Sequence, residues 1–262
     1  MHPTAVISLA AELADDVVVG PHVVIENKVS IGPGCVLRPR VHLCGPLTMG
    51  SRNFICGGAV LGEKPQHLRY HDEPTSLEIG DDNNFGEHVT VHRGTSAAWV
   101  TRIGHRNVFM AHSHVAHDCQ VCNDCVLESG ALLAGHCSLG DHAYLSGNAG
   151  VHQFVRLGRL AFLSDLSIAT KDVPPFVMQQ GINVVSGLNL VGMSRAGIGA
   201  QRVEALQRAF HIIYRESNLL SVALQKLESE LGHVDVVAEL VSFVRESKRG
   251  ISLGREQPRV VA

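Results

Sequence analysis

One spacing governs this chain. Apolar residues recur at every sixth position: Ile7, Leu13, Val19, Ile25, Ile31, Leu37, Leu43, Met49, Ile55 and Leu61. The same spacing runs again from Ile103 through Phe109, Val115, Val121, Leu127, Leu133, Leu139, Leu145, Val151 and Leu157 to Leu163. Four places after most of these stands a small residue, as at Cys35, Ala59, Ser113, Cys119, Cys125, Ala131, Cys137, Ala143, Ala149, Ala161 and Ser167. A period of six is neither the 3.6 of an amphipathic helix nor the 2 of a half-buried strand. It marks one short unit stacked many times, each layer packing only on its neighbours. Aromatic residues, the usual filling of a conventional core, make up only 5 % of the chain, which suits thin repeated layers.

The pattern resembles the hexapeptide repeat of left-handed parallel β-helix proteins, in which three hexads close one triangular coil of 18 residues. That resemblance implies a mainly β fold: a left-handed parallel β-helix over residues 1–190, followed by a C-terminal α-helical domain and tail over 191–262. Residues 18 apart then share a column, with coils about 4.8 Å apart. The repeat lapses near 62–78 and again near 94–102, and polar, proline-bearing segments there predict external loops. Ile79, Phe85 and Val91 resume it between the two. Pro174 and Pro175 predict the end of the strand ladder. Beyond Gly199 the spacing turns helical, at Val203, Leu206, Phe210 and Ile213, then Leu220, Leu224, Leu227 and Leu231, then Val237, Leu240, Val241 and Val244. The tail from Ile251 is expected to be mobile.

Charge and composition narrow the function. The 22 basic and 25 acidic residues nearly cancel, so nothing suggests a nucleic-acid partner. No apolar run reaches membrane-spanning length, and the N-terminus lacks the basic-then-apolar pattern of a signal peptide. A cytoplasmic location is expected. Cys119-x2-Cys122-x2-Cys125 imitates a metal-ligand spacing, but Cys35, Cys119, Cys125 and Cys137 all occupy the small slot of the repeat. Cys122, one place after Val121, points away from the other two. No metal and no cofactor are expected.

Histidines thread the second half of the repeat. The column rule sets His117, Gly135 and Gln153 above one another, with Asp118, His136 and Phe154 in the next column. A general base needs a group to orient its ring, and Asp118 adjoins His117. A backbone N–H at a glycine can approach a reacting oxygen closely. Base, orienter and oxyanion donor are what direct acyl transfer to a hydroxyl requires. His2, His22, His42, His71, His105 and His142 are expected to be turn or surface residues.

His114-Val115-Ala116-His117-Asp118-Cys119, Val91-His92-Arg93-Gly94-Thr95, Leu133-Ala134-Gly135-His136, Val151-His152-Gln153-Phe154 and Asp172-Val173-Pro174-Pro175-Phe176 resemble the acyl-ACP:UDP-N-acetylglucosamine O-acyltransferases of lipid A biosynthesis. The resemblance runs from residue 1 to about 250. It implies a homotrimer with clefts between subunits, and transfer of a 3-hydroxyacyl group from acyl carrier protein to the sugar nucleotide without metal. On that likeness His117 is the general base, Asp118 its partner and Gly135 the oxyanion donor. Gln66, His67, Arg69, His114, His136, His152, Gln153, Asn189 and Arg195 match substrate-binding positions. Asp165 falls at the acyl-tail end, where a carboxylate faces an alkyl chain at a cost.

The sequence departs from the family pattern at three acceptor positions. His67 replaces an Asp that contacts the sugar, Val191 a Glu that holds the nucleotide, and Ala196 an Arg near its phosphates. These departures admit a paralogue with another sugar-nucleotide acceptor or an acyl-CoA donor. The spacing His112-x4-His117 also resembles the trimeric zinc enzymes of the γ-carbonic anhydrase kind. The helical C-terminal region and the segment Gln66 to Tyr70 fit the acyltransferases better.

Overall fold

Each hexad contributes one apolar residue and its outward neighbour to a coil side, so most strands are only two to four residues long. The structure, a computed structural model, describes residues 1–216 and 219–254. Its strands form three parallel stacks of nine, eight and eleven, the last closing with an antiparallel turn-back. Val6 pairs with Val24, Val24 with His42, and His42 with Val60, so each coil returns after 18 residues. The sixth-position residues fill the prism, with Ile25, Leu43, Ile55, Leu61, Leu127 and Leu133 all buried. The small slots close its corners, where Val23, Cys35, Ala59, Cys119, Cys125 and Ala143 are also buried.

The corners demand left-handed backbone. His22, Arg40, His112, Asn148 and Leu166 take φ between 54° and 63° at one column of corners. L-residues resist that region, and the coils stacked above and below hold them there. Asp118, His136 and Phe154 share the same conformation at a second column.

Both insertions leave this second column of corners, which joins the nine-stranded to the eight-stranded sheet. The first runs between the strands Val60–Glu63 and Ser76–Ile79, the second between Thr90–His92 and Val100–Ile103. Strand structure thus reaches further into both lapses than the sequence suggested. The pairing survives the extra length: Val60 meets Thr90, and Thr90 meets His114. A buried asparagine ladder carries the register across both breaks at the next corner. Asn53 Oδ1 accepts the Asn83 N–H at 2.9 Å, Asn83 Oδ1 the Asn107 N–H at 3.0 Å, and Asn107 Oδ1 the Cys125 N–H at 2.8 Å. The offsets along it are 30, 24 and 18 residues. Asn53 and Asn83 also donate to the carbonyls of Gly80 and Gly104, so little polar capacity is left unpaired.

The ladder does not stop at the prolines. Pro175 and Phe176 form a corner turn, where no ladder donor is required. Val177–Gln180 then pairs parallel with Phe162–Leu163, and Val184–Leu188 folds back on it antiparallel. Four helices follow: α1 (Leu190–Arg195), α2 (Ala200–Tyr214), α3 (Leu220–Leu231) and α4 (Asp235–Arg245). Leu206, Ala209, Leu227, Val237 and Leu240 build a second apolar cluster that includes Leu160 and Phe176 of the coil. Arg159 meets Glu239 of α4 at 2.6 Å, and Arg156 donates to the Phe243 carbonyl. The start of the tail is fixed, contrary to expectation. Ile251 is buried and bridges Asp172, and Leu253–Gly254 pairs with Val184 and Val185. Ser252 Oγ, donating to Gln179 Oε1 at 2.6 Å, supplies the polar anchor. Residues 255–262 lie outside the described residues. Among the described residues, no helix is long and apolar enough to cross a membrane.

Candidate active site

His117 and Asp118 end the strand His114–Val115 and turn the corner. The corner bends the chain so that the Asp118 carboxylate lies under its neighbour's ring. His117 Nδ1 and Asp118 Oδ2 are 2.7 Å apart. A carboxylate only accepts, so Nδ1 carries the hydrogen and Nε2 is left as the basic atom. Asp118 is itself held. Thr95 donates to it from backbone N–H and from Oγ1, each at 2.7 Å, and the Asp118 N–H donates to Thr101 Oγ1 at 2.8 Å. Burial alone would raise the Asp118 pKa. The hydrogen bonds from His117 and Thr95 outweigh it and hold the carboxyl below its ordinary value.

Gly135 stands one coil on. A methyl group placed on its Cα would come within 2.6 Å of His117 Cε1, so the base occupies the volume a side chain would take. The requirement at 135 is therefore space. His136 lies beside both groups. Its ring meets that of His117 edge-on at 5.2 Å, stacks on Phe154 at 4.4 Å, and places Nε2 3.4 Å from Asp118 Oδ2. Burial lowers the His136 pKa, with Asp118 opposing. His67 reaches back from the first insertion to set its ring 5.2 Å from His117.

A groove of about 530 Å³ opens from this cluster along the outer face of the nine-stranded sheet. Gln66, His114, His117, Gly135, His152 and Gln153 line its polar part. Its floor follows the register His114, Leu132, Gly150, Ile168, of which Leu132 and Ile168 are exposed apolar side chains. His114 bonds Thr90 Oγ1 through Nδ1 at 2.7 Å. Burial, aided by the nearby His92 and His117, pushes the His114 pKa down to about 4.

The neutral state of His114 has a consequence for stability. Its folded pKa lies below the ordinary 6.5, so the unfolded chain takes up a proton first as pH falls. The stability this neutral imidazole contributes is fully present above pH 6.5 and is lost as pH falls toward about 4. His114→Gln is expected to flatten the urea-unfolding midpoint across that window. An unchanged slope would count against a buried neutral ring.

Other expected site residues lie elsewhere in the protomer. Asn189 was expected to touch substrate, but both its amide atoms are committed to the fold. Oδ1 caps α1 by accepting the Gly192 N–H at 2.9 Å, and Nδ2 donates to the Leu160 carbonyl at 2.9 Å. Arg195, in the last turn of α1, is exposed and acts electrostatically on Tyr144. Asp165 is exposed at the corner after Phe162–Leu163 and accepts the Gly147 N–H at 3.0 Å. Glu128 accepts that same N–H and the Tyr144 hydroxyl. Neither Arg195 nor Asp165 lines the groove. Arg69 is exposed on the first insertion. His112 stacks on His88 at 5.2 Å, one corner away from His117.

Three residues of the site went unassigned from sequence. Thr95 fixes Asp118 from the second insertion and Thr101 from the strand that follows it, where the repeat gives no guide. Arg93 is buried and donates to the carbonyls of Gly45 and Gly62 and to Tyr70 Oη, tying the first insertion to the coil.

Residues 172–252 match the profile of UDP N-acetylglucosamine O-acyltransferase, domain 2. A relative from Thiobacillus denitrificans, named acyl-[acyl-carrier-protein]–UDP-N-acetylglucosamine O-acyltransferase, is 48% identical over 253 residues, covering 96% of this chain and 98% of its own. This chain belongs to that acyltransferase family. A second member, from Alkalilimnicola ehrlichii, is 49% identical over 251 residues, covering 95% and 97% of the two chains. The solved acyltransferase of Moraxella catarrhalis superposes with a TM-score of 0.92 at 37% identity, covering 96% of this chain and 98% of its own. That of Acinetobacter baumannii gives 0.93 at 35%, with 97% and 99% covered. The coil is the left-handed parallel β-helix of this acyltransferase family.

Proposed function

We propose that this chain transfers a (3-hydroxy)acyl group from acyl carrier protein to the 3-hydroxyl of UDP-N-acetylglucosamine, the first step of lipid A biosynthesis. The observation that carries the reading is the contact of His117 with both Asp118 and Gly135 at the head of an apolar-floored groove. His117 Nε2 takes the proton of the acceptor hydroxyl as its oxygen attacks the thioester carbonyl. The N–H of Gly135 receives the negative charge on the tetrahedral oxygen. Collapse breaks the C–S bond, and the departing thiolate takes the proton from His117. Asp118 stays ionised throughout and stabilises the imidazolium, which its depressed pKa favours. The Leu132–Gly150–Ile168 floor suits an alkyl chain, with Gly150 leaving open space in its middle.

The proposed assembly is a homotrimer. Arg195 and Asp165 lie outside the groove of their own protomer, and a cleft between copies would bring such residues to a neighbour's His117. The proposed location is the cytoplasm, where the seven free cysteines suit a reducing compartment. A screen of acyl carrier proteins loaded with chains of different length, against a panel of UDP-sugars, tests the reading. Transfer to UDP-N-acetylglucosamine is expected. Absence of transfer to any UDP-sugar would overturn the acceptor assignment, and transfer only from acyl-CoA would overturn the donor.

A further inference from the structure

The sequence offered no reason to single out Glu26, His42 and Cys44, and His42 was expected to be a surface residue. The fold gathers them. All three belong to neighbouring coils at the N-terminal end of the sheet that carries the groove, where Val24 pairs with His42 and Ile25 with Leu43. One ligand atom from each, a carboxylate oxygen, an imidazole nitrogen and a thiol sulfur, lies within 4.8 Å of the other two. His42 Nε2 and Glu26 Oε1 are already 3.0 Å apart. A further carboxylate stands on the next coil, outside that group of three: Glu63 Oε2 lies 3.8 Å from the Cys44 thiol, and its Oε1 accepts the Lys64 N–H at 2.7 Å.

We propose that Glu26, His42, Cys44 and Glu63 bind a thiophilic divalent ion of the zinc class. One thiolate, one imidazole and two carboxylates form a borderline-soft donor set that zinc accepts. Its bonds of about 2.0–2.3 Å place tetrahedral ligands roughly 3.3–3.8 Å apart, against 3.0 Å for His42 to Glu26, 3.8 Å for Cys44 to Glu63 and up to 4.8 Å across the first three donors, so the ligands must draw in on binding. The adjustment falls on mobile groups, since the His42 and Glu26 side chains are 34% and 45% exposed. Two carboxylates beside a buried thiol also leave a local negative charge. The Arg93 cation, held by the Gly45 and Gly62 carbonyls, acts on the thiol in the opposite sense. Binding releases the Cys44 proton to solvent, and the S–H···O contact to Glu63 gives way to two metal bonds.

The position gives the ion a role. Glu63 is the last residue of its strand before the first insertion, and in register it pairs with the buried His92, whose Nδ1 has no hydrogen-bond partner. A bound ion clasps the root of the segment carrying Gln66 and His67 to the two preceding coils. A second group of donors, His117, Asp118 and His136, also lies within 4.8 Å. It contains no thiol, and Thr95 and His117 already engage its carboxylate.

Cobalt distinguishes the two groups. Protein stripped by a chelator and titrated with Co²⁺ is expected to bind one equivalent and to develop a thiolate-to-cobalt charge-transfer band, which added Zn²⁺ abolishes. Cys44→Ser is expected to lose the band, and Cys122→Ser, which alters an exposed thiol, to keep it. Glu26→Gln is expected to weaken zinc at least tenfold in competition with a chromophoric chelator. Cobalt bound without the band, a band that survives in Cys44→Ser, or no binding at all would overturn the site. Should Cys44→Ser fail to give a native circular-dichroism spectrum, the exposed Glu26→Gln decides alone, and unchanged zinc affinity overturns the proposal. None of these readouts depends on acyl transfer.

Discussion

Replacing His117 with alanine is expected to lower kcat by about a hundred- to ten-thousand-fold, the usual contribution of a positioned general base. The ring lines the groove, and Asp118 keeps its two hydrogen bonds from Thr95 when the ring is gone, so the loss should come without unfolding. KM should change little if the imidazole acts mainly in the transition state. Steady-state kinetics with acyl-loaded carrier protein, beside a thermal melt of the same preparation, separates the outcomes. A variant that retains wild-type kcat would remove His117 from the chemistry. Asp118→Asn is the informative companion. It keeps the shape and loses the charge that stabilises the imidazolium.

Gly135→Ala should be nearly as damaging for a different reason. The added carbon would sit 2.6 Å from His117 Cε1, well inside van der Waals contact. Either the ring swings away from Asp118 or the backbone of the coil retreats from the reacting oxygen. A displacement of about 1 Å at such a place costs on the order of a hundredfold in rate. The expected result is a fall in kcat of that order with the coil intact. The Nδ1–H proton resonance of His117 in NMR would report the lost contact with Asp118. Wild-type activity in this variant would mean that the ring can move without penalty.

The repeat made most of the fold legible because it is a local code. One apolar residue per hexad and one small residue at each corner suffice to place Leu127, Leu133 and Cys125 in the prism. The same column arithmetic brings His117, Gly135 and His136 together. It was silent where the period lapses. Thr95 holds the carboxylate from an insertion whose path no repeat dictates, Thr101 accepts the Asp118 N–H from the strand just after it, and Arg93 is buried by contacts to Gly45 and Gly62, far away in sequence. Asn189 shows the opposite difficulty. A motif match marks a position but not which way its side chain is spent, and here Oδ1 caps α1 while Nδ2 bonds the Leu160 carbonyl of the coil. Arg195 and Asp165 are matched to the site by the family pattern alone, which does not say whether one protomer brings them to the groove. A single protomer keeps them apart. The start of the tail, Ile251 to Gly254, departs from expectation because its anchor, a pairing with Val184 and Val185, is long-range and leaves no periodic trace.

The asparagine ladder bears on how such an enzyme changes its preferences. Asn53, Asn83 and Asn107 restore alignment at the corner directly after each insertion, whatever the number of residues that left the coil. The insertions thereby become cassettes in fixed sockets, the first free in its contents and the second bound to keep Thr95 on Asp118. His67 and Arg69 ride on one and Thr95 on the other, whereas His117, Gly135 and His136 belong to the rack itself. Acceptor preference can drift by rewriting a cassette while the proton-transfer machinery stays in place. Transplanting residues 64–75 from a relative should therefore move the choice of sugar nucleotide without retuning the base.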